Sequence, residues 1–273
     1  MLGTGTSHGI PMIGCDCEVC TSDDPRDRRT RPSIHVQHNG IHILVDTAPE
    51  LRLQCLAGGI CRADAVLFTH HHADHVTGLD DLRRFNWLQS CSLKCYAQQE
   101  DITAIRRMFA YAFVDDPEYP SHKPDLDFIP IDGPIELTRS RRLQPARSPD
   151  EVQITDSNDP AATCTVLPIP LIHGPTPVLG FRFDNFAYCT DCSYIPDDSM
   201  KMLEGLDVLI LDALRRRPHP THFNLEEAVE WAGRIGAKQT YFTHIAHELL
   251  HETTNSELPP NMQLGHDGQV INL

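Results

Sequence analysis

Apolar and polar positions along the chain fall into two periods, and the changes from one to the other mark its elements. Ile34-His35-Val36-Gln37-His38 and Ile41-His42-Ile43-Leu44-Val45 flank Asn39-Gly40. An Asn-Gly pair between β-prone runs predicts a hairpin with a tight turn. Leu51 to Gly58 predicts a short helix ended by Gly58-Gly59, and Ala65–Phe68 a buried strand. Leu79, Leu82, Phe85 and Leu88 recur at helical spacing in Thr77 to Gln89. A strand at Leu93–Ala97 precedes a helix over Asp101 to Phe113, with Ile102, Ile105, Met108, Phe109 and Ala112 as its core face. Asp115 to Pro134 is rich in Pro and Asp and predicts loop, and Arg139 to Asp159 predicts a polar, solvated insertion. Strands resume at Thr163–Ile172, and Leu179–Phe183 and Phe186–Cys189 form a second hairpin around Asp184-Asn185. Pro196 to Leu203 predicts a short helix, and Asp207–Leu211 and Gln239–Thr243 predict strands. Asn224, with Glu226 and Glu227 after it, caps a helix from Leu225 to Ile235, and Gly236 ends it. A last strand pair is expected around Asp267-Gly268.

Chemistry gathers where the β-rich runs stop. Ala65–Phe68 runs straight into Thr69-His70-His71-His72-Ala73-Asp74-His75, four imidazoles and a carboxylate in seven residues. Such a set suits zinc, manganese or iron. Asp46, His173, Asp191 and His244 stand at the ends of other β-rich runs. A sheet-edge site is built in this way, with rigid strands presenting side chains from their ends. His35, His38 and His42 belong to a half-exposed sheet face. Cys15, Cys17 and Cys20 can converge on one further ion, for which tetrahedral zinc needs a fourth ligand from elsewhere.

Composition narrows the function classes. The chain has 273 residues, 40% of them apolar, enough for a buried core. Its formal charge of −15 (23 basic against 38 acidic residues) argues against holding a nucleic-acid polymer, which needs Lys and Arg on phosphates. No run of about 18 apolar residues is present, so no membrane span is expected, and the N-terminus lacks the pattern of a signal peptide. Ten cysteines, three crowded together, suggest metal ligands and buried thiols in a reducing cytoplasm.

Thr-His-His-His-Ala-Asp-His resembles the HxHxDH signature of the metallo-β-lactamase superfamily, and His173, Asp191 and His244 match its remaining motifs in order. Gly3-Thr4-Gly5, the Cys15/Cys17/Cys20 cluster, Gly78-Leu79-Asp80-Asp81-Leu82-Arg83 and Thr221-His222-Phe223 further resemble the PhnP-type phosphodiesterases, which act on cyclic phosphodiesters such as ribosyl 1,2-cyclic phosphate. The resemblance implies an α/β fold, an αββα sandwich with two mixed sheets flanked by helices, forming one domain over 1–273 with an insertion at about 139–159. Family members usually carry a strand before the Gly-Thr-Gly turn, so the expectation here is that the first strand is missing or that the start is placed too late.

By the same resemblance, His70, His72 and His173 bind one active-site metal, and Asp74, His75 and His244 a second, with Asp191 bridging. The ions would be zinc or manganese. Asp74 also counts with His222 as a catalytic residue, and His222 is the family's non-ligand histidine. Asp46 is expected to orient a ligand, and His71, between ligands, to point away. His247, three residues after His244, supplies the fourth ligand of a structural zinc with Cys15, Cys17 and Cys20. The implied function is a dinuclear-metal hydrolase, a phosphodiesterase for a small phosphodiester, with a carboxylic-ester or lactone hydrolase of the same fold as the alternative. Its expected partner is that small substrate, with neither nucleic-acid polymer nor membrane; a homodimer is allowed.

Overall fold

The computed structural model describes residues 1–114, 121–139 and 162–273. The chain forms two compact units, His35–Thr165 and a second made of Met1–Ile34 with Val166–Leu273.

In the His35–Thr165 unit, β1 (Ile34–His38) and β2 (Ile41–Val45) form the expected hairpin. Asn39 and Gly40 both adopt positive φ, 51° and 75°, as a type I′ turn requires. From β2 the sheet continues through parallel strands β3 (Ala65–Leu67), β4 (Leu93–Ala97) and β5 (Leu126–Pro130), in the order β1-β2-β3-β4-β5. β3 is buried at every position, which is why it reads as a continuous apolar run rather than an alternating one. Helices α1 (Leu51–Ala57), α2 (Ala73–Val76), α3 (Arg83–Gln89) and α4 (Gln99–Met108) connect the strands, and β6 (Ile135–Thr138) follows β5.

Three expectations are corrected in this unit. Leu126–Pro130 is a strand inside the stretch read as loop: Phe128 is buried while Asp127 faces out, and Pro130 is tolerated at the end of the outermost strand. Thr77 to Gln89 is not one helix but a 3₁₀ turn at Leu79–Leu82 followed by α3. The tight passage has a cause at Gly78, where a Cβ would lie 2.1 Å from the Ala48 carbonyl oxygen. Met108, expected in the core, is exposed at the C-terminal end of α4, where the helix gives way to a 3₁₀ turn at Ala110–Phe113. The insertion read at 139–159 lies outside the described residues except for Arg139.

The second unit carries a mixed sheet. β7 (Thr163–His173) pairs antiparallel with β8 (Thr176–Phe183), and β8 with β9 (Phe186–Cys189). Parallel pairing then continues through β10 (Val208–Asp212), β11 (Gln239–Thr243) and β12 (Met262–Leu264). Helices α5 (Asp197–Met202), α6 (Leu225–Ile235) and α7 (His251–Glu257) complete the unit. α6 has the start and stop the sequence announces. Asn224 and Glu227 form a reciprocal capping box, and Gly236 closes the helix at φ 71°. Its buried residues Leu225, Ala228 and Ala232 recur at i, i+3 and i+7 and join a core with Leu209, Leu211 and Phe242. Each large apolar side chain in that core contributes about 1.5–3 kcal/mol by leaving water.

The strand pair expected around Asp267-Gly268 does not form; β12 ends at Leu264 and Asp267-Gly268 is a turn. Asp267 instead accepts from the backbone N–H and hydroxyl of both Thr4 and Thr30, at 2.6–2.9 Å. Two of these bonds join the C-terminal segment to the Gly3-Thr4-Gly5 turn and two join it to Thr30. Gly5 is itself obligatory, since a Cβ there would meet the Arg29 carbonyl oxygen at 2.7 Å.

Two histidines outside the strand-end clusters make the fold acid-sensitive. Burial, then the charge of neighbouring His42, lowers His35 from 6.5 to about 4. Burial, then Arg26 and Arg29, lowers His251 likewise to about 4. Both are neutral in the fold, and the unfolded chain takes up their protons first as pH falls below 6.5. The stability they allow is therefore complete above pH 6.5 and is lost on descending towards 4. Melting temperatures measured across this window should fall, and His35→Gln combined with His251→Gln should flatten the slope; an unchanged slope would contradict this origin.

Candidate active site

Three of the strand-end residues singled out by sequence share a backbone feature. Asp46 after β2, Asp191 after β9 and His244 after β11 have φ of 62°, 56° and 59°. This left-handed region is sparsely used by residues other than glycine, and each instance costs on the order of 1–3 kcal/mol. The surrounding bonds must hold such conformations, and they cluster at working sites.

In the His35–Thr165 unit those bonds centre on Asp46, which is fully buried. Its Oδ1 accepts from the Thr69 N–H at 2.8 Å, and its Oδ2 from the Thr69 hydroxyl at 2.8 Å. His75 Nδ1 also meets Oδ2, at 2.7 Å. The Thr69 hydroxyl, having given its proton to Asp46, accepts from His70 Nδ1 at 3.0 Å. One carboxylate thus orients two imidazoles, one directly and one through a hydroxyl. Burial pushes the Asp46 carboxyl up, while His75 and Thr69 hold it down. The His70 ring lies 4.4 Å from that of His72 and 4.3 Å from that of His75. Asp74 Oδ2 is 3.5 Å from His75 Nε2. His71 turns to another partner: its Nδ1 lies 2.6 Å from Oδ1 of buried Asp101 on α4.

The other unit holds two clusters. In the first, His244 Nε2 lies 3.4 Å from Asp191 Oδ2. His173 Nδ1, at the end of β7, donates to the Thr221 carbonyl at 2.7 Å. Burial lowers the His173 pKa, against the opposing charge of Asp191. His222 stacks on His244 with ring centroids 4.5 Å apart and meets the edge of His173 at 4.5 Å. Its Nδ1 donates to Oδ2 of Asp212, at the end of β10, at 2.9 Å, and that oxygen also takes the Cys192 N–H at 3.1 Å. The second cluster is Cys15, Cys17, Cys20 and His247, whose ligand atoms lie within 4.8 Å of one another. His247 Nδ1 is 3.2 Å from Cys15 Sγ and 3.3 Å from Cys17 Sγ. Burial works to raise the Cys17 thiol, but hydrogen bonds from the Cys20 N–H, Cys15 and His247 outweigh it, bringing its pKa to about 7.

Comparison with known proteins assigns the family. Residues 42–245 match the beta-lactamase superfamily domain. A crystal structure of a diphosphatase from the PhnP family is 42% identical, with a TM-score of 0.85, over 100% of this chain and 96% of that one. The chain belongs to the beta-lactamase superfamily, in its PhnP family. An octanoyltransferase of Porphyromonas gingivalis is 35% identical over 279 residues, 98% of this chain but 50% of that protein, so the chain spans half the length of that relative. A ribonuclease Z of Mycobacterium sp. (strain KMS) is 28% identical over 247 residues, covering 81% of this chain and 79% of that protein.

This PhnP-family member is thus a hydrolase of the metallo-β-lactamase fold, with two mixed β-sheets flanked by helices and His/Asp clusters able to hold metal ions. The donor set fits divalent ions. His70, His75 and His173 each engage Nδ1 with an oxygen, which fixes the ring and presents Nε2 for coordination. Three thiols and an imidazole converge as a structural zinc site requires. Sequence reasoning misses Asp212, although Leu209-Ile210-Leu211-Asp212 repeats the same pattern of an apolar strand ending in a carboxylate. It also misses Thr69 and Asp101; nothing local in the sequence marks either as a partner of a histidine.

Asp46→Asn keeps the size of the side chain but removes the charge that His75 and Thr69 point at. Chelator-competition titration should show metal affinity reduced about 10–100-fold; unchanged affinity would exclude an orienting role for Asp46.

Proposed function

We propose that this protein is a dinuclear-metal phosphodiesterase for small phosphodiesters, cyclic ones included. The observation that carries the reading is His222, an imidazole outside the ligand set, buried against two ligand candidates and fixed by Asp212. A diphosphatase as a relative at 42% identity supports phosphorus as the reacting centre.

In this reading His70, His72 and His173 would hold one ion and Asp74, His75 and His244 the other, with Asp191 as the ligand they would share. The ions, zinc or manganese, supply Lewis acidity and lower the pKa of an attacking water. Asp74, whose Oδ2 lies 3.5 Å from His75 Nε2, would be the carboxylate that takes up a proton there. His222 keeps Nδ1–H on Asp212, so the mobile proton is at Nε2. From there it passes to the departing oxygen, while the Asp212 carboxylate compensates the charge on the ring. Cys15, Cys17, Cys20 and His247 hold a structural zinc that adds to folding stability.

The remaining assignments follow the same reading. The localisation that goes with this reading is a reducing cytoplasm, where the ten cysteines form no disulfide and three of them are left to zinc. Among the described residues no helix is long and apolar enough to cross a membrane. The charge of −15 favours a small substrate over a nucleic-acid polymer.

With bis(p-nitrophenyl) phosphate and a panel of cyclic nucleotides, the metal-loaded protein should turn over at least one phosphodiester. His222→Ala should lower kcat by about 10²–10⁴ with metal content retained. Turnover of a homoserine lactone but of no phosphodiester would instead select the carboxylic-ester or lactone hydrolase.

A further inference from the structure

The segment that carries Cys15, Cys17 and Cys20 has few ties to the rest of its unit. From Pro11 to Ser22 its backbone hydrogen bonds stay local among the described residues: Cys15 to the Met12 carbonyl, Thr21 to Cys17 and Ser22 to Val19. Ile13 is wholly exposed, and Gly14 follows at φ 74°. The segment's core is a satellite of three buried residues, Ile10, Val19 and Cys20, with Leu250 packed against them.

The firmer tie is the thiol cluster itself. His247 Nδ1 touches Cys15 and Cys17, and Cys17 Sγ also lies 3.6 Å from the His247 carbonyl oxygen. The Met12 N–H donates to Cys20 Sγ at 3.3 Å. His247 belongs to the short stretch after β11 that begins with His244. In that stretch the Ala246 N–H donates to the Leu214 carbonyl, and Glu248 pairs with Arg217 at 2.6 Å. The cluster thus fastens both a ligand candidate and the turn that leads from β10 to His222.

One side of the cluster is open. A cavity of about 270 Å³ is lined by Cys17, Glu18, His247, Leu250, Thr253 and Thr254. It has room for several molecules the size of water. Cys17 is half-buried, whereas Cys20 is buried. The ligand atoms of the cluster lie within 4.8 Å of one another, and Cys17 and Cys20 have the C-x-x-C spacing. Sulfur bound to zinc is thiolate, which is also the form that oxidants attack.

We infer that Cys17 is a modification site for peroxide and that the cluster is a redox switch on the active site. The inference goes beyond hydrolysis and rests on the structural-zinc reading. The Cys17 thiolate attacks one peroxide oxygen; an S–O bond forms, the O–O bond breaks and hydroxide leaves. The Cys20 thiolate then attacks the Cys17 sulfur; an S–S bond forms, the S–O bond breaks and a second hydroxide leaves. The two thiolates lose two electrons and the peroxide gains them. Cys15 and His247 remain, two ligands where zinc takes four, so the ion departs. The stretch from His244 to Glu248 then loses its tie to the Cys segment. A thiol reductant returns both electrons and restores the site.

The test treats the zinc-loaded full chain with a small molar excess of hydrogen peroxide. A chromogenic chelator should register release of about one zinc per chain, and the non-reduced peptide map should show a Cys17–Cys20 disulfide. Cys17→Ser supplies the background from zinc held elsewhere. Thr253→Trp, which fills the cavity and replaces no ligand, should keep the zinc but slow its release about fivefold or more. Amide hydrogen exchange from His244 to Glu248 should quicken on oxidation. Zinc retained while Cys61 or Cys91 oxidises overturns the modification site, and an unslowed release from Thr253→Trp overturns the cavity route. Unchanged exchange from His244 to Glu248 overturns the link to the active site. If the purified protein takes up no zinc at the cluster, the structural-zinc reading fails and the peptide map decides the thiol site separately. A Cys17–Cys20 disulfide formed ahead of oxidation at Cys61 and Cys91 sustains it; the reverse order overturns it.

Discussion

The buried Asp46 carboxylate is the constraint on which the His-rich segment depends. A buried carboxylate without partners would be expensive, and here the Thr69 N–H, the Thr69 hydroxyl and His75 Nδ1 satisfy it. Those bonds also hold Asp46 at φ 62°, a conformation its neighbours must impose. The consequence passes outward: His75 is oriented directly, His70 through Thr69, and both present Nε2. Asp212 repeats the device at the end of β10 with His222. In each case an apolar strand ends in a carboxylate whose charge is buried and whose oxygens aim an imidazole. Rigidity comes from the parallel strands and direction from the carboxylate.

Much of this is legible in the amino-acid sequence. The Asn39-Gly40 turn, the Asn224 cap and the Gly236 stop act over a few residues, and such local chemistry is written in the residues themselves. The ligand candidates are legible because histidines and aspartates at strand ends stand out against apolar runs. What escapes a sequence reading depends on distant partners. Leu126–Pro130 has a strand's alternation, but its Pro and Asp content masks it until β4 pairs beside it. Asp267 looks like a turn residue, and its four bonds to Thr4 and Thr30 are visible only once the chain is folded. His71 makes the heptapeptide look tag-like, yet Asp101, 30 residues away, occupies it. The left-handed φ values of Asp46, Asp191 and His244 carry no sequence signature.

Three kinds of imidazole environment follow from these contacts. Those with Nδ1 tied to an oxygen acceptor present Nε2 and suit metal coordination. His222 has the same anchoring on Asp212 and is proposed to use its free nitrogen for a proton. His219 is anchored the other way, with Nδ1 as acceptor from Thr221, and can only donate from Nε2. Chemically identical rings thus receive different work from which nitrogen is engaged and by what.

The central claim is that the chain holds two catalytic ions and, in the Cys15/Cys17/Cys20/His247 cluster, one structural zinc. Metal analysis by native mass spectrometry tests it directly. The account predicts about three ions per chain, and about two after Cys17→Ser. One ion or none in the unaltered protein, or an undiminished count after Cys17→Ser, would contradict it.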